Sequence, residues 1–193
     1  MPITKPRPSK FGACQPGAAM GIIGKAILFT AMIGAPTLAA DPCANPPPVV
    51  LDYLAAHPGW RIVRRVDLIR DDQELWAQAY RERCPGLATV DFDGTGRPHI
   101  GLALLGTING KRHEQVVVIR RNGKNIEQHI LSAPFAIGRA DVIYTVPPGV
   151  AKQWDGPKQV TLKQESLVYE HMESAAIQYY FAKGKFRSIQ ISD

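Results

Sequence analysis

The sequence lacks the features that define several broad classes of protein. Its main apolar run, Ala26–Ile33, lies between Lys25 and Pro36, whereas a membrane-spanning helix needs about 20 apolar residues. Only 3 of the 193 residues are cysteine, and no two have the C-x-x-C spacing of many zinc and redox sites. There is no H-E-x-x-H and no G-x-S-x-G motif, so the sequence indicates neither a zinc protease nor an esterase.

An excess of one charge is also missing once the first forty residues are set aside. The formal net charge is +6, and residues 1–40 hold four basic side chains and no acidic one (Lys5, Arg7, Lys10 and Lys25). The remainder has 19 basic against 17 acidic side chains. Bulk charge therefore gives no support for a nucleic-acid partner.

Residues 21–40 have the pattern of a secretory signal peptide. Lys25 precedes the short apolar run, Pro36 follows it, and small residues lead up to Asp41. This is the order of a basic region, a hydrophobic region and a cleavage site. An uncleaved membrane anchor is the alternative, but the run is too short for it. We therefore expect an exported protein, periplasmic or secreted, with no transmembrane segment after cleavage.

The ends of this signal are also predicted. We expect cleavage after Ala40, or else after Ala39. Met20 begins a signal of ordinary length, which indicates that translation starts there and that residues 1–19 are not part of the precursor.

Export leaves two cysteines in the mature chain, Cys43 and Cys84. An even pair in an oxidising compartment favours a disulfide. The bond would close a loop of about 40 residues and stabilise the fold by about 3–4 kcal/mol in the chain-entropy model. A metal or redox pair is the alternative, and no spacing supports it.

The hydrophobic periodicity changes from helical to alternating at Gly86. Val49–Ala56 and a stretch from Asp71 to Tyr80 have helical spacing. The strand patterns are Trp60–Asp67, Leu87–Phe92, Ile100–Ile108, Glu114–Arg121, Ile126–Leu131, Val160–Leu162, Ser166–Glu170, Ala175–Phe181 and Phe186–Ile191.

Two Asn-Gly pairs predict two β-hairpins. Asn109-Gly110 and Asn122-Gly123 lie between strand patterns, and Asn-Gly favours type I′ hairpin turns. Residues 132–158 carry several prolines and are predicted to be a loop. The sequence thus predicts one α+β domain over residues 41–193. Two short N-terminal helices would pack on a mostly antiparallel sheet or sandwich of about 7–9 strands.

The sharpest local motif is the D-F-D-G-T-G segment that begins at Asp91. It resembles one calcium-binding loop of FG-GAP (VCBS-like) repeats, D-x-D-G-D-G-x-x-D, where Thr95 and His99 replace two of the carboxylates. The resemblance implies a weak calcium site at Asp91 and Asp93, with Thr95 as a further oxygen ligand. We expect no other cofactor. The alternative is a turn in which the aspartates cap backbone N–H groups.

A looser resemblance extends over most of the mature chain. Small exported bacterial proteins of unknown function share a Cys-Pro-Gly step, a D-F-D-G-x-G loop and a C-terminal hairpin like Tyr179–Asp193. This resemblance implies no activity.

Catalytic groups are few. Glu165, Glu170 and Glu173 form one carboxylate cluster, and the five histidines are scattered (His57, His99, His113, His129 and His171). We expect a monomeric, non-enzymatic binding or inhibitor-like module whose partner is a protein or another envelope component. The alternatives are a calcium-linked accessory or adhesion module and a hydrolase of envelope polysaccharide that uses the glutamates.

Overall fold

The computed structural model describes residues 41–81 and 83–193, which belong to one unit running from Ala39 to Asp193. The predicted signal peptide and its cleavage site lie outside the described residues. The elements are α1 Pro48–Ala56, β1 Trp60–Ile62, a 3₁₀ turn Arg65–Asp67, α2 Arg70–Tyr80, β2 Leu87–Val90, β3 His99–Ile108, β4 Lys111–Asn122, β5 Asn125–Ala136, β6 Val142–Val146, β7 Gly149–Lys152, β8 Gln159–Leu162, β9 Ser166–Glu170, β10 Ala176–Ala182 and β11 Lys185–Ser192.

The α+β class predicted from the sequence is wrong, because the protein is mostly β. Strands make up 49% of the described residues and form several antiparallel sheets beside two helices. The helices begin at Pro48 and Arg70, not at the chain's N-terminus. Eleven strands replace the predicted seven to nine, since residues 132–158 hold the end of β5 and all of β6 and β7. Pro134 lies in β5, an edge strand, where a missing N–H is tolerated.

Both predicted hairpins form, with different turns. Asn109 and Gly110 have φ of 51° and 73° and join β3 to β4, as a type I′ turn requires. In the second hairpin Asn122 pairs with Asn125, so the loop is Gly123 and Lys124. The glycine, at φ 60°, carries the left-handed conformation there.

The five-stranded sheet has α1 on one face and the four-stranded sheet on the other. In the first sheet β1 and β2 both pair with β3, followed by β4 and β5; the second has the order β11-β10-β9-β6. Leu102 and Leu104 pack with Tyr53 of α1, and the alternate residues Ala103 and Leu105 pack toward the second sheet. The β7–β8 hairpin covers the outer face of the second sheet.

The disulfide lies where β1 and β2 meet along β3. Cys43 and Cys84 are joined, with their Cα atoms 4.9 Å apart, and both are buried. Beside them Val63 N donates to Ala103 O (3.0 Å) and Gly86 N donates to Val63 O (3.1 Å). The disulfide thus ties the segment before α1 to the place along β3 where pairing with β1 gives way to pairing with β2. None of the helices in the described residues is long and apolar enough to cross a membrane.

Candidate functional site

A pocket of about 140 Å³ lies between the β4–β5 hairpin and the β10–β11 hairpin, and we call it the histidine pocket. Its lining residues come from the β2–β3 loop, β3, β4, β5 and the β10–β11 hairpin: Asp93, His99, Arg120, Glu127, His129, Phe181, Gly184 and Phe186. Arg120 and Glu127 are direct register partners across β4 and β5. The antiparallel ladder therefore places these opposite charges side by side.

Arg120 is held between two carboxylates. Its Nη1 donates to Asp93 Oδ2 (2.8 Å) and its Nη2 donates to Glu127 Oε2 (3.1 Å). Thr95 donates to Asp93 Oδ1 from its hydroxyl (2.7 Å) and its backbone N–H (3.2 Å). The hydrogen bond from the Thr95 hydroxyl, with those from its N–H and from Arg120, lowers the pKa of Asp93 to about 2.

Glu127 is bound in the same way. Its second oxygen, Oε1, lies 3.1 Å from His129 Nε2. The hydrogen bond from Arg120, followed by that from His129, lowers the pKa of the Glu127 carboxyl. Both carboxylates of the pocket are thus ionised at neutral pH.

His99 forms the floor of the histidine pocket. Its side chain packs edge-on against Phe92 and Phe186, with ring centroids 5.6 and 6.4 Å away, and the residue is only 5% exposed. Burial, and then the positive charge of Arg120, lowers the pKa of the imidazole, so the ring is neutral at neutral pH. Its Nδ1 is buried and has no hydrogen-bond partner among the described residues.

The predicted calcium loop is closed by the chain's own hydrogen bonds. Asp91 Oδ2 accepts from Gly96 N (2.9 Å), and Asp91 N donates to Glu165 Oε2 (2.7 Å). Gly94 and Gly96 have φ of 68° and 71°, which glycine adopts at little cost. With Asp93 bound to Thr95 and Arg120, these contacts favour the turn. Within residues 41–81 and 83–193, no group of three or more His, Cys, Asp or Glu side chains is placed to hold a metal ion. Calcium binding by Asp91, Asp93 and Thr95 stays a prediction.

The glutamate cluster is spread along one strand. Glu165 directly precedes β9 and Glu170 ends it, so their Cα atoms are about 16 Å apart at 3.3 Å per residue. Glu173 lies in the following turn, at φ 60°. Glycosidases place two carboxyl groups about 5–9.5 Å apart. The Cα separation along the strand does not favour that spacing for Glu165 and Glu170.

A larger groove of about 540 Å³ runs beside the disulfide and between β2 and β6. Trp76, Tyr144 and Glu165 are among its lining residues. Within the part of the chain that the structure describes, the buried side-chain polar atoms that lack a partner belong to Asp91, His99, Glu114 and Tyr169, and none of these four residues lines the groove. The histidine pocket is therefore the stronger candidate site, since His99 lines it.

Arg120, Glu127 and Phe186 are among the residues of the histidine pocket that were not singled out from the sequence. Arg120 lies opposite Glu127 because the loop is 123–124, whereas the expected Asn122-Gly123 turn would place residue 120 opposite residue 125. Phe186 reaches the pocket from a distant hairpin, and no local pattern indicates that contact. Of the five histidines, only His99 and His129 meet here.

Comparison with known proteins identifies no relative, since no family model, no curated protein and no solved structure matches this chain.

Proposed function

We propose that the mature chain is an exported, non-enzymatic binding module that takes its ligand in the histidine pocket. The observation that carries this proposal is the His99 imidazole, which lines the pocket, is almost fully buried and leaves Nδ1 without a hydrogen-bond partner in the described part of the chain. Leaving such an atom unpaired costs about 1–3 kcal/mol. Nδ1 itself is closed to solvent, so a ligand in the pocket contacts the exposed side of this ring.

The walls around His99 support a preformed site. Arg120 is fixed by two ion pairs to Asp93 and Glu127, and Phe186 packs edge-on against Phe92 and Phe181, with centroids 5.0 and 5.2 Å apart. Side chains locked in this way by strands and neighbours hold their geometry without the ligand.

The charges of the pocket favour binding over catalysis. A carboxylate pair used for acid–base chemistry needs pKa values pushed apart, so that one group keeps its proton. Here the pKa values of Asp93 and Glu127 are both lowered, so neither carboxyl holds a proton to donate. The groups of the pocket that could act as a nucleophile or base are its carboxylates and imidazoles, and both carboxylates are already bound to Arg120.

The predicted signal peptide and the Cys43–Cys84 disulfide support a location in the periplasm or outside the cell. Its partner is then a component of the envelope or of the extracellular medium, and the module acts as a monomer.

Imidazole NMR on protein purified from the periplasm tests the proposal. We expect at least one fraction of an envelope extract to shift the ring C–H resonances of His99 and His129. His113, a histidine on β4 outside the pocket, serves as the internal control and stays unmoved. If every fraction leaves His99 and His129 unchanged, or moves His113 equally, the proposal is wrong.

A further inference from the structure

We infer that the ligand of the histidine pocket is an uncharged, polyhydroxylated group the size of one sugar ring. This inference rests on the proposed function and adds a ligand class to it. It follows from which polar atoms of the pocket are already bound, from the walls and from the volume.

The charged groups of the pocket already bind one another, and Arg120 balances one of the two carboxylates. Asp93 accepts hydrogen bonds at both oxygens, from Thr95 and Arg120. Glu127 also accepts at both, from Arg120 and His129. A cationic ligand would have to share these oxygens with their present donors and lie beside the positive charge of Arg120. An anionic ligand is repelled by the second carboxylate, whose charge Arg120 does not balance.

The same arrangement disfavours a metal ion. Arg120 brings a permanent positive charge into the pocket, and the two carboxylates are bound to it. Two imidazoles alone are fewer than the three or four protein ligands that a zinc site uses.

The two imidazoles remain for the ligand. His99 is neutral, and because its Nδ1 is closed to solvent, a ligand can reach only its other nitrogen, Nε2. His129 contacts Glu127 through Nε2, which leaves its Nδ1 for another partner. A hydroxyl group donates one hydrogen bond and accepts two, so it can pair with either nitrogen in either tautomer. Several hydroxyls on one small scaffold can serve both rings at once.

The remaining walls are aromatic and suit the C–H face of a sugar ring. Phe181 and Phe186 line the pocket, and Phe186 lies 4.8 Å from the His129 ring between centroids. Apolar walls with a few placed polar groups are the usual composition of a small-molecule site. The volume of about 140 Å³ is below the roughly 300–1,000 Å³ of drug-sized pockets, so it limits the ligand to one small ring.

Saturation-transfer NMR on the exported protein tests this inference, with glucose, galactose and N-acetylglucosamine as probes at 10 mM and with inorganic phosphate and zinc chloride as separate arms. We expect at least one sugar to receive saturation and to shift the His99 and His129 rings. Phosphate and zinc should neither produce those shifts nor displace the sugar.

Two variants in the pocket and two control variants outside it test where the sugar binds. His129→Ala and Phe186→Leu should each weaken sugar binding at least tenfold. His113→Ala removes a histidine of β4 outside the pocket, and Phe135→Leu removes an exposed ring near the far end of β5; both should bind normally. Because Phe186 is packed, its variant is first checked for an unchanged melting temperature. His129→Ala gives the decisive result, because the His129 side chain is 40% exposed.

The outcomes separate the two proposals. If no sugar binds, or if sugar binding survives His129→Ala, the ligand class is wrong. If zinc or phosphate moves the pocket histidines in place of the sugars, the ligand class is also wrong while the pocket stays a binding site. Failure of every envelope fraction in the earlier experiment overturns the binding function itself.

Discussion

Glu114 on β4 is fully buried, and its surroundings keep it protonated. Its Oε2 accepts a hydrogen bond from Asp141 N (3.2 Å), while Oε1 has no partner among the described residues. Burial, and then the negative charge of Asp141, raises its pKa to about 8, and the positive charge of Arg112 only partly offsets this. The Tyr169 hydroxyl also faces this site, and burial is the largest cause that raises its pKa. His171 binds the outer side of Asp141 at 2.5 Å.

This burial predicts a pH-dependent stability. The folded protein keeps the Glu114 proton up to about pH 8, while the unfolded chain releases it near 4.5. Between these values the folded state binds more protons, so stability falls as pH rises, by at most about 1.4 kcal/mol per pH unit. Glu114→Gln copies the protonated acid and should remove this decrease. Urea unfolding at pH 5 to 9 measures the difference.

Glu74→Gln is the matched control, because Glu74 is exposed on α2. Its pH profile should follow that of the wild type. If Glu114→Gln keeps the wild-type slope, Glu114 is not the group responsible.

Asp93 and Asp91 should differ in how much each contributes to stability. Asp93→Asn breaks a charged hydrogen bond to Arg120 and should cost about 1 kcal/mol. Asp91→Asn keeps an oxygen for Gly96 N and should cost less than about 0.5 kcal/mol.

If the loop is only a turn, the melting temperature stays flat from 0 to 10 mM calcium. A calcium site with Kd of about 1 mM would instead add about 1.4 kcal/mol, or about 3 °C. A rise of that size that Asp93→Asn abolishes would establish the calcium site.

At the scale of elements, the junction of β1, β2 and β3 depends on a glycine. A Cβ on Gly86 would lie 2.6 Å from Val63 N, 2.7 Å from Val63 O and 2.8 Å from a methyl of Ile62. Two of these atoms are backbone that cannot move without breaking the Gly86–Val63 hydrogen bond. Residues 84–86 thus combine the disulfide at Cys84 with the close approach of the Gly86 backbone to that of Val63.

Gly86→Ala should therefore destabilise the protein by several kcal/mol or prevent folding. Gly110→Ala is the comparison, because its Cβ meets nothing within 4 Å and the only cost is its φ of 73°. That strain is about 1–2 kcal/mol. Urea denaturation of both variants checks the order, and a Gly86→Ala variant as stable as Gly110→Ala would show that the junction yields.

Elements whose signals are local were predictable from the sequence. The Asn-Gly turns indicated both hairpins, and the helical spacing at Val49–Ala56 matches α1 at Pro48–Ala56. β6 and β7 were missed because Pro147 and Pro148 separate them and each strand is short. The helical stretches led to the wrong class, since the described residues hold two short helices beside eleven strands.

At the scale of the whole molecule, the layers bring together residues that no sequence pattern connects. Leu167 of the second sheet packs so closely on β3 that a Cβ on Gly101 would lie 2.9 Å from its methyl groups. The same face-to-face packing brings Phe186 to His99, 87 residues away in sequence. The observed register of the β4–β5 hairpin sets the pair Arg120 and Glu127, and it differs from the register of the expected Asn122-Gly123 turn. The histidine pocket depends in addition on how the two sheets meet, which no local sequence pattern indicates.

Export and the disulfide together make a prediction about the purified molecule. The small residues before Asp41 indicate cleavage after Ala40 or Ala39, and an oxidising compartment forms the Cys43–Cys84 bond. Intact mass of protein recovered from the periplasm should therefore match a chain that begins at Asp41 or Ala40 and lacks two hydrogens.

Reduction should restore those hydrogens and lower stability by about 3–4 kcal/mol, because the freed loop adds entropy to the unfolded chain. A double Cys43→Ala, Cys84→Ala variant controls for the reductant and should be insensitive to it. A mass that retains Met20 would contradict export, and cysteines that alkylate without reductant would contradict the disulfide. The proposed binding function depends on both.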